Sequence, residues 1–210
     1  MRYADIYEAG RIGTGIHKKE IPNKFKHLPI IKGGIGTTSI ILEKDPETVI
    51  MLTKDGIKKD WLVHELKIAE QIGYYDTRHP KLGDMPIYVL EMPRLYPLGP
   101  KTRRAARDLI KTFQEIYNKA WAAQKSYAFS KNKQNQAVID LFYKFFDQYN
   151  ETNTDEHILS QLVGFLANYN VDQYSWDLRM GNLMQDRDEN LIILDPIVDR
   201  EILDVFTNRR

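Results

Sequence analysis

The chain of 210 residues contains no cysteine, which removes disulfides, thiolate nucleophiles and zinc–thiolate sites together. That absence fits a reducing compartment. No apolar run approaches the roughly 18–20 residues that a membrane span requires, so a soluble protein is expected. The first residues, Met1 to Gly15, interleave Arg2, Asp5, Glu8 and Arg11 with apolar side chains and do not read as a signal peptide. An excess of one charge is missing as well. Thirty Lys and Arg oppose 29 Asp and Glu, and a net charge of +1 gives no bulk field to hold nucleic acid. No G-x-x-x-x-G-K-[ST] occurs, which excludes a Walker-type phosphate loop. The five histidines are scattered without ligand spacing. What remains is an ordinary globular composition, 42% hydrophobic and 28% charged, so function must come from a localised site.

Residues 1–27 are rich in Gly and Lys with little periodicity and are expected to form an irregular leader. From Leu28 the character changes. Leu28, Ile30 and Ile31 lead into Gly33-Gly34-Ile35-Gly36, Ser39 to Leu42 is β-branched and apolar, and Lys44-Asp45-Pro46-Glu47 is a turn. Thr48 to Thr53 is the next strand. A helix is expected after it, with Asp60 as N-cap, Leu62, Leu66, Ala69 and Ile72 at helical spacing, and Gly73 as its stop. Met85 to Met92 reads as a further strand closed by Pro93. Helical periods follow over 102–125, 134–149 and 155–168, the last opened by Asn153 with Glu156 three residues on. Phe142, Phe145, Phe146 and Tyr149 form a packing stripe. The expected class is therefore α+β, a strand-rich lobe over 28–93 followed by a helical lobe over 94–210, with the proline-rich Pro93–Pro100 stretch as hinge.

The residues with the most chemical content lie in SWDLRMGNLMQDRDENLIILDP, residues 175–196. Asp177 is followed five residues later by Asn182, and Asp195 ends the apolar stretch Leu191 to Leu194. Phosphoryl transfer needs a carboxylate to orient an attacking hydroxyl and take its proton, and oxygen ligands for magnesium. Asp177, Asn182 and Asp195 supply that set, and Arg179 is placed to neutralise charge on the transferred group. The alternative is a β-hairpin whose polar loop residues cap turns.

D-L-R-M-G-N followed by L-I-I-L-D-P resembles the catalytic loop and metal-binding Asp of eukaryotic-type protein kinases. It is most similar to the small early Ser/Thr protein kinases of lytic short-tailed bacteriophages. The likeness spans about residues 30–200 and is specific at 175–196. It implies a bilobal kinase-like fold with a truncated helical lobe, ATP and magnesium as cofactors, and a host protein as substrate in the cytoplasm of an infected cell. It also implies a glycine-rich loop at Gly34-Ile35-Gly36, with Ser39 where a third glycine would stand and Ile41 over the adenine. Glycine there lets main-chain amides approach phosphates without a Cβ clash. Glu65 lies on or beside the expected helix's apolar stripe, where a carboxylate needs a cation; the resemblance pairs it with a strand lysine. Leu90 would limit the back of the pocket, and the Glu91 and Met92 main chains would bond the adenine.

The chain departs from the family in three places. Met51 stands where the strand lysine belongs. Lys54, three residues on, is the candidate to replace it, its distance from Gly34 being nearer the common kinase spacing, although alternation puts it on the opposite face unless the strand bulges. Ser175 and Trp176 replace the His and Arg before the catalytic Asp, which implies no control through activation-loop phosphorylation. Fifteen residues follow Asp195, too few for a full activation segment, so peptide recognition is expected elsewhere, the 101–150 insert being one candidate. Lys101, Arg103, Arg104 and Arg107 cluster near its helix start, either a solvated basic face or a contact for an acidic partner. Three functions compete: an active protein kinase, a pseudokinase that binds and blocks or recruits a host protein, and a small-molecule kinase of the aminoglycoside or choline type.

Overall fold

The computed structural model describes residue 16 and residues 18–35, 38–79, 83–124, 140, 161–162, 164–165 and 174–199. These form a mixed α+β structure built on an antiparallel sheet of five strands with few helices. The chain divides into two compact units, one of Met1–Leu95 with Val198–Arg210 and one of Tyr96–Ile197.

The first unit holds the sheet, strands β1 (Ile30–Ile35), β2 (Ser39–Glu43), β3 (Thr48–Thr53), β4 (Glu70–His79) and β5 (Gly83–Pro93), in the order β1-β2-β3-β5-β4. Alternation sorts the side chains of β2, β3 and β5 onto two buried faces. Ile40, Leu42, Ile50, Leu52, Ile87 and Val89 line one face. Ile16, Ile21 and Phe25 cover it, carried by two short turns, Lys18–Glu20 and Asn23–Phe25. The stretch expected to be an irregular leader therefore contributes core residues to the sheet. Val49, Met51, Thr53, Leu90 and Met92 occupy the opposite face and are equally buried.

Sheet-edge turns follow from local polar chemistry. Between β2 and β3, Asp45 Oδ1 accepts the N–H groups of Glu47 and Thr48 at 2.9 and 2.8 Å. Donation from the Glu47 main chain, the leading cause, holds the Asp45 carboxyl below its ordinary value despite full exposure. A carboxyl lowered in the folded state stabilises above its unfolded value, and its contribution is lost as pH falls through the folded one. NMR titration of the Asp45 carboxyl is expected to show a midpoint below that of aspartate in an unstructured peptide. An ordinary midpoint would show that the turn does not form in solution.

The helix after β3 is displaced from its expected position. Asp55, not Asp60, is the N-cap: its carboxylate accepts from the N–H groups of Ile57 and Lys58, both at 3.0 Å. Helix α1 (Gly56–Asp60) continues as a π turn, Trp61–Glu65, in which the Leu66 N–H reaches the Trp61 carbonyl. Lys67 then adopts φ 54°, and the N–H groups of Ile68 and Ala69 both bond the Leu62 carbonyl, closing the helix. Ile72 and Gly73, read from the sequence as the helix end, belong to β4, where the pairing shifts register between Gln71 and Gly73. Tyr74, Tyr75 and Thr77 favour a strand, and pairing with β5 overrides the helical spacing before them. Trp61 and Leu62 are fully buried.

In the second unit, helix α2 (Pro100–Gln124) buries Thr102, Ala106, Leu109 and Phe113, one stripe at helical spacing. Lys101, Arg103, Arg104 and Arg107 are exposed on it. Its start is tied to the hairpin of β7 (Leu183–Gln185) and β8 (Leu191–Ile193). The Gly99 N–H donates to Gln185 Oε1 at 2.7 Å, and Tyr96 and Gln185 exchange main-chain bonds of 2.8 and 2.9 Å. Short strands β6 (Tyr174–Trp176) and β9 (Ile197–Asp199) flank the hairpin in sequence. The expected helices over 134–149 and 155–168 lie outside the described residues, except that residues 140, 161–162 and 164–165 are helical; the aromatic stripe of residues 142–149 lies outside them altogether. Among the described residues no helix is long and apolar enough to cross a membrane.

Candidate functional site

Strand β6 delivers the chain to Asp177, whose N–H bonds the Pro196 carbonyl at 2.9 Å. A single turn of 3₁₀ helix, Met180–Asn182, then reverses direction into β7. At the far end of the hairpin Asp186 organises the turn. Its Oδ1 accepts the N–H groups of Asp188 and Asn190 and its Oδ2 accepts the Asn190 amide, while Glu189 takes φ 62°. Asp186 thus caps the turn at this end of the hairpin.

Those three residues meet at the open end. The Asn182 Nδ2 donates to the Asp177 carbonyl at 2.6 Å, to Asp177 Oδ2 at 2.8 Å and to the Asp195 carbonyl at 3.0 Å. All three partners are acceptors, which fixes the orientation of the amide and turns its Oδ1 the other way. The Leu194 N–H bonds the Asn182 carbonyl at 2.8 Å, so the end of β8 is locked to the same residue through main chain and side chain alike. Arg179 is largely exposed, and its Nε lies 3.0 Å from Asp177 Oδ1. The Asp177 carboxylate is therefore held from two sides, by a carboxamide and by a guanidinium. Asp195 Oδ1 is buried. The set offers two carboxylates and a carboxamide, all hard oxygen donors suited to magnesium. Among the described residues no group of three His, Cys, Asp or Glu side chains is arranged to hold a metal. A cation here would draw on one or two protein oxygens and complete its shell from water or phosphate.

The residues expected to hold a nucleotide belong to the first unit. Gly34 lies in β1, and Gly36 is outside the described residues. Ile41, Met51 and Leu90 stand opposite one another across β2, β3 and β5 and so share a face. Ser39 and Thr53 belong to that face; Ser39 Oγ donates to Thr53 Oγ1 at 2.9 Å, and the Lys58 ammonium donates to Ser39 Oγ at 3.3 Å. Lys54 does not join them. Its N–H bonds the Thr38 carbonyl, continuing the ladder of β3, and alternation turns its side chain to the face of Ile50 and Leu52. There its ammonium meets Glu20 Oε1 at 2.9 Å, with the lysine side chain 3% and the glutamate side chain 17% exposed.

Glu65, expected to pair with a strand lysine, is half-buried in the π turn and is not brought to Lys54. Glu20 fills that role instead. The sequence carried one usable signal for it: a lysine ending a buried strand demands a carboxylate, but nothing local says which. Glu91 sits opposite both Ile50 and Glu70 in a central strand, so its main-chain groups are spent on the sheet, and its carboxylate pairs with Lys44 at 2.5 Å. Met92 stands opposite Val49 and is buried. Comparison with models of known families, with curated proteins and with solved structures finds no match to this chain.

Proposed function

We propose that the chain is an ATP- and magnesium-dependent phosphotransferase of protein-kinase-like bilobal architecture, a phage-encoded Ser/Thr kinase that modifies host proteins. The observation that carries this reading is the Asn182 carboxamide, which joins the Asp177 carboxylate to the Asp195 main chain at the open end of the β7–β8 hairpin. In this role Asp177 accepts the proton of the acceptor hydroxyl as its oxygen attacks the γ-phosphorus and the bond to the departing ADP oxygen breaks. Asn182 and Arg179 hold the carboxylate in one orientation for that transfer. The Asp195 carboxylate and Asn182 Oδ1 would hold magnesium, which supplies charge neutralisation on the phosphates.

Thermal unfolding with ATP, with and without magnesium, tests the metal assignment. Asp195→Asn is expected to abolish the magnesium-dependent part of the stabilisation and leave the unliganded midpoint nearly unchanged. Full retention of that part would remove Asp195 from the metal site.

A second reading, a pseudokinase that captures a host protein, is favoured by Met51 and Lys54. Met51 is 2% exposed at the lysine position of the resemblance, and the Lys54 ammonium is committed to Glu20 on the other face. ATP binding without phosphoryl transfer would select this reading.

A further inference from the structure

We propose that Lys58, on helix α1, is the cation that receives the phosphates of a bound nucleotide in the first unit. The inference rests on the nucleotide-binding reading above and names the residue that does what Lys54 is placed too far round the sheet to do. A polyphosphate requires a positive charge beside hydrogen-bond donors, on the side of the sheet that meets the base. Half-buried Ile41, backed by the buried Met51 and Leu90 on the same face, marks the apolar side that a base would meet. Ser39 is two residues before Ile41 on β2 and shares its face, at the mouth of the glycine-bearing β1–β2 hairpin. The Lys58 ammonium reaches Ser39 Oγ at 3.3 Å, so it stands on the face of Ile41.

The position is built. Asp55 accepts the Lys58 N–H at 3.0 Å, which fixes the first turn of α1 and the direction from which the lysine approaches. Thr53 Oγ1 accepts the Asp55 N–H at 3.1 Å and the Ser39 hydroxyl at 2.9 Å, so one threonine aligns both the helix start and the serine. Ser39, Thr53 and Asp55 are each at most 5% exposed, and Lys58 itself is half-buried. Lys59 next to it pairs with Asp60 and lies 5.2 Å from the Tyr88 ring. A triphosphate would replace the lysine–serine contact by a lysine–phosphate contact and leave the serine hydroxyl donating to Thr53 Oγ1.

Calorimetric titration of the full chain with ATP and with AMP, both with magnesium, tests this on wild type and on Lys58→Met. The expected result is an ATP affinity about tenfold or more weaker in Lys58→Met, with AMP binding unchanged and Lys58→Arg recovering most of the loss. Equal ATP affinity in wild type and Lys58→Met would overturn the role of Lys58 alone. Equal weakening of ATP and AMP would overturn it too, as a general disturbance of the unit. Wild-type protein that binds neither nucleotide would overturn the underlying reading and this inference with it.

Discussion

Asp177→Asn is expected to lower phosphoryl transfer by a factor of about 10²–10⁴, the range for loss of a positioned general base. The substitution is close to isosteric. An amide oxygen at the same place still accepts from the Asn182 Nδ2, which bonds Asp177 Oδ2 at 2.8 Å and the Asp177 carbonyl at 2.6 Å, so the loop keeps its path. What disappears is the charge that faces Arg179 and, in the proposed reaction, the oxygen that would take the proton. Because Arg179 is 67% exposed, the lost ion pair costs at most about 1 kcal/mol of stability. Steady-state transfer rates together with denaturant unfolding separate the two effects. A large drop in rate at nearly constant stability assigns Asp177 to the chemistry, whereas rates that follow stability would make it a structural residue.

Lys54→Met has its large effect on stability. The Lys54 side chain is 3% exposed and its Glu20 partner 17%, so removing the ammonium takes a cation at 2.9 Å away from a mostly buried carboxylate. Breaking such a pair from one side costs about 3–5 kcal/mol. Replacing both members, Lys54→Met with Glu20→Leu, is expected to recover most of that loss, because the charge left behind is the main penalty. Denaturant midpoints of the two single variants and the double variant measure it. The folded fraction of Lys54→Met is expected to retain nucleotide affinity within a few-fold. If Lys54 instead served the phosphates, the pattern would invert: turnover would fall by orders of magnitude with little change in stability. The two outcomes share no ground.

These expectations show where the sequence was informative. The strand over Thr48 to Thr53 was legible to the residue, because β-branched and apolar side chains at a run of buried positions, bounded by an Asp-Pro turn, leave few alternatives. The Asp177–Asn182–Asp195 group was legible because all three lie within nineteen residues, on one loop and one hairpin, where local geometry decides who meets whom. Helix α1 was misplaced because the spacing of Leu62, Leu66, Ala69 and Ile72 carries a helical pattern into β4, where Ile72 falls at a register shift and its neighbours Gln71 and Gly73 pair with β5. The determinants that won were two main-chain hydrogen bonds accepted by the Asp55 carboxylate at one end and a positive φ at Lys67 at the other. Glu20 was invisible for a different reason. Its partner is 34 residues away, in a stretch with no periodicity, and a long-range ion pair leaves no local pattern.

The central claim, that the chain transfers phosphate, is tested most directly by incubating purified protein with γ-labelled ATP, magnesium and a bacterial lysate, beside the Asp177→Asn variant. The account predicts label on lysate proteins or on the chain itself, dependent on magnesium and lost in the variant. Absence of any labelled product from wild-type protein, or label that persists undiminished in Asp177→Asn, would contradict it.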